Sequence, residues 1–204
     1  MKRKLVALMA LLAGLALAQT TATVSPNVTV NIPPVLKLTL NATVYEFNFG
    51  SNASGTVSVN NTNYPRASSA AYEAFLAGSA TTPLFAPSTV TGGTNDEYGT
   101  LEIVTNQSAW TVKIQSIGDS TFPALTLGND RVKVFAEKVS GQGASWTTTP
   151  TPITASLTLF NAGSGGQGRS VYKLYYLFTM DINDDIPLAG INEQITVNLL
   201  LTSP

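Results

Sequence analysis

The chain has 204 residues, with 27 Thr, 17 Ser and 15 Asn against 23 charged side chains, and it contains neither His nor Cys. Without imidazole or thiol there is no Ser-His-Asp or Cys-His nucleophile system, and no His- or thiolate-held zinc, copper, haem or iron–sulfur centre. A net charge of −1 lacks the basic footprint of a nucleic-acid binder, and a charged fraction of 11%, against about 25% in ordinary domains, leaves hydroxyls and amides to face solvent.

Residues 1–18 read as a signal peptide. Lys2, Arg3 and Lys4 form a positive start, Leu5 to Leu15 an apolar core, and Ala16-Leu17-Ala18 an A-x-A processing site, with cleavage expected between Ala18 and Gln19. The apolar run is short for a bilayer span, and no transmembrane segment is expected in the mature chain. Loss of the leader removes three basic residues and leaves eight against twelve acidic ones, a net charge of −4. Anionic membranes and nucleic acid are therefore not expected partners. The expected product is secreted, extracellular or held at the cell surface.

Residues 19–34 read as an N-terminal strand or extension. Apolar residues occupy the even positions Ala22, Val24, Pro26, Val28, Val30 and Ile32, and hydroxyls or amides occupy the odd ones. Such period-two alternation is that of a β-strand. One reading is a first strand within its own sandwich. The other is a donor strand that inserts into a neighbouring subunit, with Val24, Val28, Val30 and Ile32 as assembly residues and Pro33-Pro34 as a stiff hinge. Pro26 removes one ladder hydrogen bond, which suits an edge or inserted strand.

Residues 35–204 are expected to form a single domain. Leu36, Leu38 and Leu40 continue the even phase, and Tyr45, Phe47 and Phe49 move it to odd positions, as at a bulge or a change of sheet. Thr56 to Val59 reads as a short strand. Within 60–98, Ser68 to Ala77 suggests a short helix, and Pro83, Pro87, Gly92 and Gly93 a long surface loop. Strands resume at Leu101–Thr105, at Trp110–Ile114, at Arg131–Val139 and at Ile153–Leu159; Gly163 to Gly168 reads as a flexible connection. Val171 to Met180 is apolar on both faces and predicts a central strand, and Ile195–Leu201 gives the last one. About nine or ten strands with little helix predict an all-β sandwich of Ig-like or Greek-key type, with a closed barrel as the lesser alternative.

The run Leu101-Glu102-Ile103-Val104-Thr105-Asn106-Gln107-Ser108-Ala109-Trp110-Thr111-Val112 resembles the first signature of WxL-type surface domains, in which strand, polar turn and Trp-x-Leu recur. Tyr172 to Tyr176, followed through Gly190 by Ile195 to Leu199, resembles the close of such domains, and pilin-like and biofilm-fibre sandwiches share the likeness. The resemblance implies a cell-surface module that attaches to envelope polymer or builds a surface assembly. From alternation with Val112 and Ile114 alone, Trp110 reads as a core residue between two sheets, or else as a ligand platform.

Asp181, Asn183 and Asp185 copy the opening of a calcium loop, but Ile186 stands where the tight-turn Gly belongs and Asn192 at the twelfth position; a solvated turn is the other reading. Calcium is the only cofactor the sequence leaves open. Glu46, Glu73, Glu97 and Glu102 are scattered and form no pair at a spacing that glycoside hydrolysis favours. The expectation is a non-enzymatic structural protein, a homo-oligomeric subunit of a surface filament or layer. The alternative is a monomeric envelope-binding or adhesion module that presents residues 60–98 and Trp146 as its ligand surface.

Overall fold

A computed structural model describes residues 27–80, 82–121, 124–146 and 149–204. The expected signal peptide and processing site, Val24 and Pro26 lie outside the described residues. Contacts divide the chain into two units, one ending at Pro33 and one running from Pro34 to Pro204. Of the first unit, the described residues 27–33 are in no strand.

The second unit is an all-β sandwich of two facing antiparallel sheets. Its elements are β1 (Leu36–Leu40), β2 (Val44–Glu46), β3 (Thr56–Val59), β4 (Thr62–Pro65), α1 (Ser69–Leu76), β5 (Leu84–Phe85), β6 (Thr89–Thr91), β7 (Gly99–Thr105), β8 (Trp110–Ile117), β9 (Val132–Ser140), β10 (Thr151–Pro152), β11 (Thr158–Ala162), β12 (Gly168–Thr179) and β13 (Val197–Thr202). One sheet has the order β1-β7-β12-β9-β10, with β5 added to β12, and the other has the order β11-β8-β13. Two further pairs, β2-β6 and β3-β4, complete the ladders. Neighbouring strands are mostly distant in sequence, because the chain crosses repeatedly from one sheet to the other.

The alternation in the sequence decides which faces meet. Leu101 and Ile103 of β7, Val112 and Ile114 of β8, Val134 and Ala136 of β9, and Tyr172 and Leu174 of β12 form one buried core between the sheets. Trp110 is 1% exposed, packs edge-on to Phe160, and donates its indole N–H to the Gly166 carbonyl at 2.9 Å. It is a core residue, as its alternation with Val112 and Ile114 indicates. β12 is buried on both faces: Tyr175 and Leu177 point away from the first core into a second one, roofed by Val57 and Val59 of β3 and Tyr64 of β4. A central position between β7 and β9 explains its two-sided hydrophobicity.

The phase change near Tyr45 is a change of sheet. β1 pairs with β7, and β2 pairs with β6. The Tyr45 hydroxyl donates to the Leu174 carbonyl and accepts the Gly99 N–H, both at 3.0 Å, and this fastens the switch to the larger sheet.

Four expectations are corrected. The stretch after α1 is not a surface loop: β5 joins β12, β6 joins β2, and Phe85, Ala86 and Val90 are buried, because the prolines there end short strands and do not exclude them. The expected strand Ile153–Leu159 does not form as one: residues 153–157 lie between β10, which ends at Pro152, and β11, which begins at Thr158, with Ser156 at φ 68° turning the chain. The last strand begins at Val197, two residues later than the apolar pattern suggested. Gly163 to Gly168 is not a flexible connection at Gly166, whose N–H bonds the Ser108 carbonyl at 2.8 Å. A Cβ at Gly166 would fall 2.5 Å from the Trp110 indole nitrogen, so only glycine allows this close approach.

Candidate functional site

Val28, Val30 and Ile32 are 83%, 73% and 75% exposed, although each is a residue type that normally enters a core. The intervening Asn27, Thr29 and Asn31 are exposed as well, and no ladder includes any of the six. The described part of the N-terminal segment therefore keeps its strand-like pattern without a strand. Val24, the fourth assembly candidate, lies outside the described residues.

Trp146 stands in a different place. It lines a groove of about 590 Å³ on the outer side of the larger sheet. One wall is the β3-β4 hairpin, whose two-residue loop, Asn60-Asn61, has both residues left-handed at φ 50° and 61°. A type I′ turn requires this conformation, and Asn tolerates it better than most residues. A second Asn-rich turn, Asn95-Asp96, with φ 55° and 56°, precedes Glu97 and Tyr98 on the same wall. Arg66 fixes that turn: its guanidinium donates to the carbonyls of Asp96 at 2.6 Å, Asn95 at 3.2 Å and Pro87 at 3.3 Å.

Across the groove, β9 and β12 contribute Glu137, Lys173 and Tyr175. Lys173 Nζ lies 3.2 Å from Glu137 Oε2 and 5.2 Å from the centre of the Tyr98 ring, and the Tyr175 hydroxyl donates to the same carboxylate oxygen at 3.4 Å. Burial, reinforced by the Glu137 charge, pushes the Tyr175 phenol well above its ordinary value. The Trp146 indole N–H is buried with no hydrogen-bond partner among the described residues, and its ring packs 6.0 Å from Phe135. The fold thus brings Trp146 together with five residues of 60–98: Asn60, Asn61, Asn95, Glu97 and Tyr98. The partners on β9 and β12 were not legible, because non-local strand pairing delivers them; the two-sided apolar pattern of β12 was the one available signal for Tyr175.

The acidic turn is committed to itself and to the body. Asp181 Oδ1 accepts both the backbone and the side-chain N–H of Asn183, each at 2.9 Å, and these bonds hold its carboxyl below the usual range. Asp184, between the expected ligands, accepts from Arg131 at 2.5 Å and from the Asp181 backbone N–H at 2.8 Å. Asp185 is exposed. Among the described residues no group of three or more acidic side chains gathers where a metal ion could be held, and Asn183 turns an amide N–H, not its oxygen, toward Asp181. Also among the described residues, no helix is long and apolar enough to cross a membrane.

Three other tyrosines are shifted by burial, and Tyr45, Tyr172 and Tyr176 all hold their protons well above the ordinary phenol range. On the surface, Arg169 bonds Glu102 and holds that carboxyl below its usual value.

No family model, no curated protein and no solved structure matches this chain.

Proposed function

We propose that this is an exported, non-enzymatic structural protein, a subunit of a cell-surface filament or layer that assembles through its N-terminal segment. The observation that carries the reading is the exposure of Val28, Val30 and Ile32 in a segment patterned as a strand but in no strand. Alternate apolar side chains of this kind lose contact with water only on another sheet, where each buried Val or Ile contributes roughly 1.5–3 kcal/mol. A surface of hydroxyls and amides with few charges also favours packing against copies of itself, since charged groups are costly to desolvate. The leader-like residues 1–18 and the likeness to WxL-type and pilin-like sandwiches agree with a place outside the cytoplasm.

Electron microscopy of the purified protein tests the reading. Filaments or sheets are expected from the full mature chain, and monodisperse particles from a variant lacking residues 19–32; normal polymers from that variant would refute it.

The groove at Trp146 favours a second reading, an adhesion module for an envelope polymer. Saturable quenching of Trp146 fluorescence by isolated cell-envelope polymer, with the protein monodisperse throughout, would favour this reading over the first.

A further inference from the structure

We infer that the acceptor for the N-terminal strand is the free edge of β13 in a second copy of the chain. This rests on the assembly reading above and adds the partner surface to it. Among the described residues, the strand orders of the two facing sheets end in β1 and β10 in the larger and β11 and β13 in the smaller, and the two-residue β5, flanked by Pro83 and Pro87, adds a further short edge to β12. An exposed edge is a template for a further strand, and native proteins blunt it with Lys, Pro, a bulge or brevity. β10 is two residues long and ends in Pro152. β1 carries the exposed Lys37. β11 is bulged at Leu159, since Thr158 pairs with Lys113 and Phe160 with Val112. β13, Val-Asn-Leu-Leu-Leu-Thr over six residues, has no charge and no proline. Its register shift falls on the other strand: Asn198 pairs with Ser116 and Leu199 with Ile114, so the extra residue is Gln115 of β8. Among the described residues, β13 is the only one of these edges with no charge, no proline, no bulge of its own and more than two residues, although β1 of the facing sheet lies close beside it.

The same edge is incomplete. Val197, Leu199 and Leu201 face the core but are only partly buried, whereas Val112 and Ile114, opposite them on β8, are fully buried. A strand laid beyond β13 would cover them and widen a three-stranded sheet that faces six strands. Val24 to Ile32 matches what is missing. It is uncharged, apolar at every second position, and at about 3.3 Å per residue long enough to run the length of β13. Pro33-Pro34 fixes two backbone angles directly after it, and the assembly reading makes the occupant a second copy of the chain.

Complementation between two variants of the full mature chain tests the inference. Val28→Asp/Val30→Asp spoils the donor, and Leu200→Lys, on the outward face of β13, defends the acceptor. Asn198→Lys, at an exposed position, serves as a second acceptor variant if Leu200→Lys lowers the melting temperature. Each variant alone is expected to be monomeric by light scattering, and an equimolar mixture to give a species of twice the mass, because each supplies what the other lacks. Filaments from the two acceptor variants together with monomers from the donor variant would overturn the β13 assignment and leave assembly through the N-terminus standing. Filaments from the donor variant would overturn that assembly itself. Monomers throughout, in the mixture as well, would overturn the pairing of this strand with this edge.

Discussion

Residues 27–32, the described end of the N-terminal alternation, and β12 are both strand-patterned, and they have opposite fates. β12 has partners on every side: β7 and β9 along its edges, the smaller sheet over Tyr172 and Leu174, and the β3-β4 hairpin over Tyr175 and Leu177. In the N-terminal segment, the described Val28, Val30 and Ile32 remain exposed. Hydrophobic alternation states that a segment needs a pleated partner, and says nothing about which molecule supplies it. Two-sided hydrophobicity says more, because only the middle of a sheet covers both faces.

The contrast is broken most sharply by truncation. Leu174→Ala on β12 is expected to cost about 2–5 kcal/mol, as for large-to-small changes in a packed core. Val30→Ala is expected to leave the urea midpoint of the monomer unchanged, and an equal loss in both would erase the distinction.

Gly166→Ala extends the comparison to the loop that leads into β12. The added methyl collides with the Trp110 indole and with the Ser108 carbonyl 2.8 Å away, so a loss of about 1–3 kcal/mol is expected from overpacking. Gly163→Ala, whose Cβ meets nothing within 4 Å, is the control that should leave the denaturation curve in place.

Alkali also separates the two regions, since β12 holds three tyrosines and residues 20–32 hold no titratable side chain. Below about pH 10 both folded and unfolded chains keep their phenol protons and stability is unaffected. Above it the unfolded chain releases protons that the folded chain retains, so stability falls as pH rises. For Tyr176, buried within the core, the slope is about 1.4 kcal/mol per pH unit until its raised folded value is reached. Urea titrations from pH 9 upward should show a shallower decline in Tyr176→Phe; an unchanged slope would remove Tyr176 from the account.

The smallest effect is expected at α1, where the Ser68 hydroxyl accepts the Ala71 N–H at 3.2 Å. Ser68→Ala should cost about 1 kcal/mol. Retained stability in thermal melts would show that aromatic packing of Tyr72 and Phe75, not the cap, sets the helix.

Much of the sandwich was legible because its long strands obey one rule. β7 and β8 alternate, burying Leu101, Ile103, Trp110, Val112 and Ile114 as read from the sequence, and β9 buries Val132, Val134 and Ala136 likewise but also Phe135, in the second core. The short ladders were not legible, since β5 and β6 have two and three residues and sit among prolines and glycines that ordinarily mark loops. Trp146 stood out as an aromatic in a polar stretch, but nothing along the chain announces that Glu137, Lys173 and the Asn60-Asn61 turn lie beside it. In the acidic turn, spacing singles out Asp181, Asn183 and Asp185, and it gives no sign that Asp184 is the residue that meets Arg131. Alternation counts residues, and a turn reverses that count within a single step.

Arg66 carries a consequence for handling the molecule. Its fork of carbonyl contacts ties down a glycine-containing stretch that would otherwise invite nicking. Trypsin must draw an arginine side chain out into its specificity cleft before cutting. At Arg66 it would first have to dismantle the clasp, so limited digestion should spare this bond while exposed lysines such as Lys37 are cleaved.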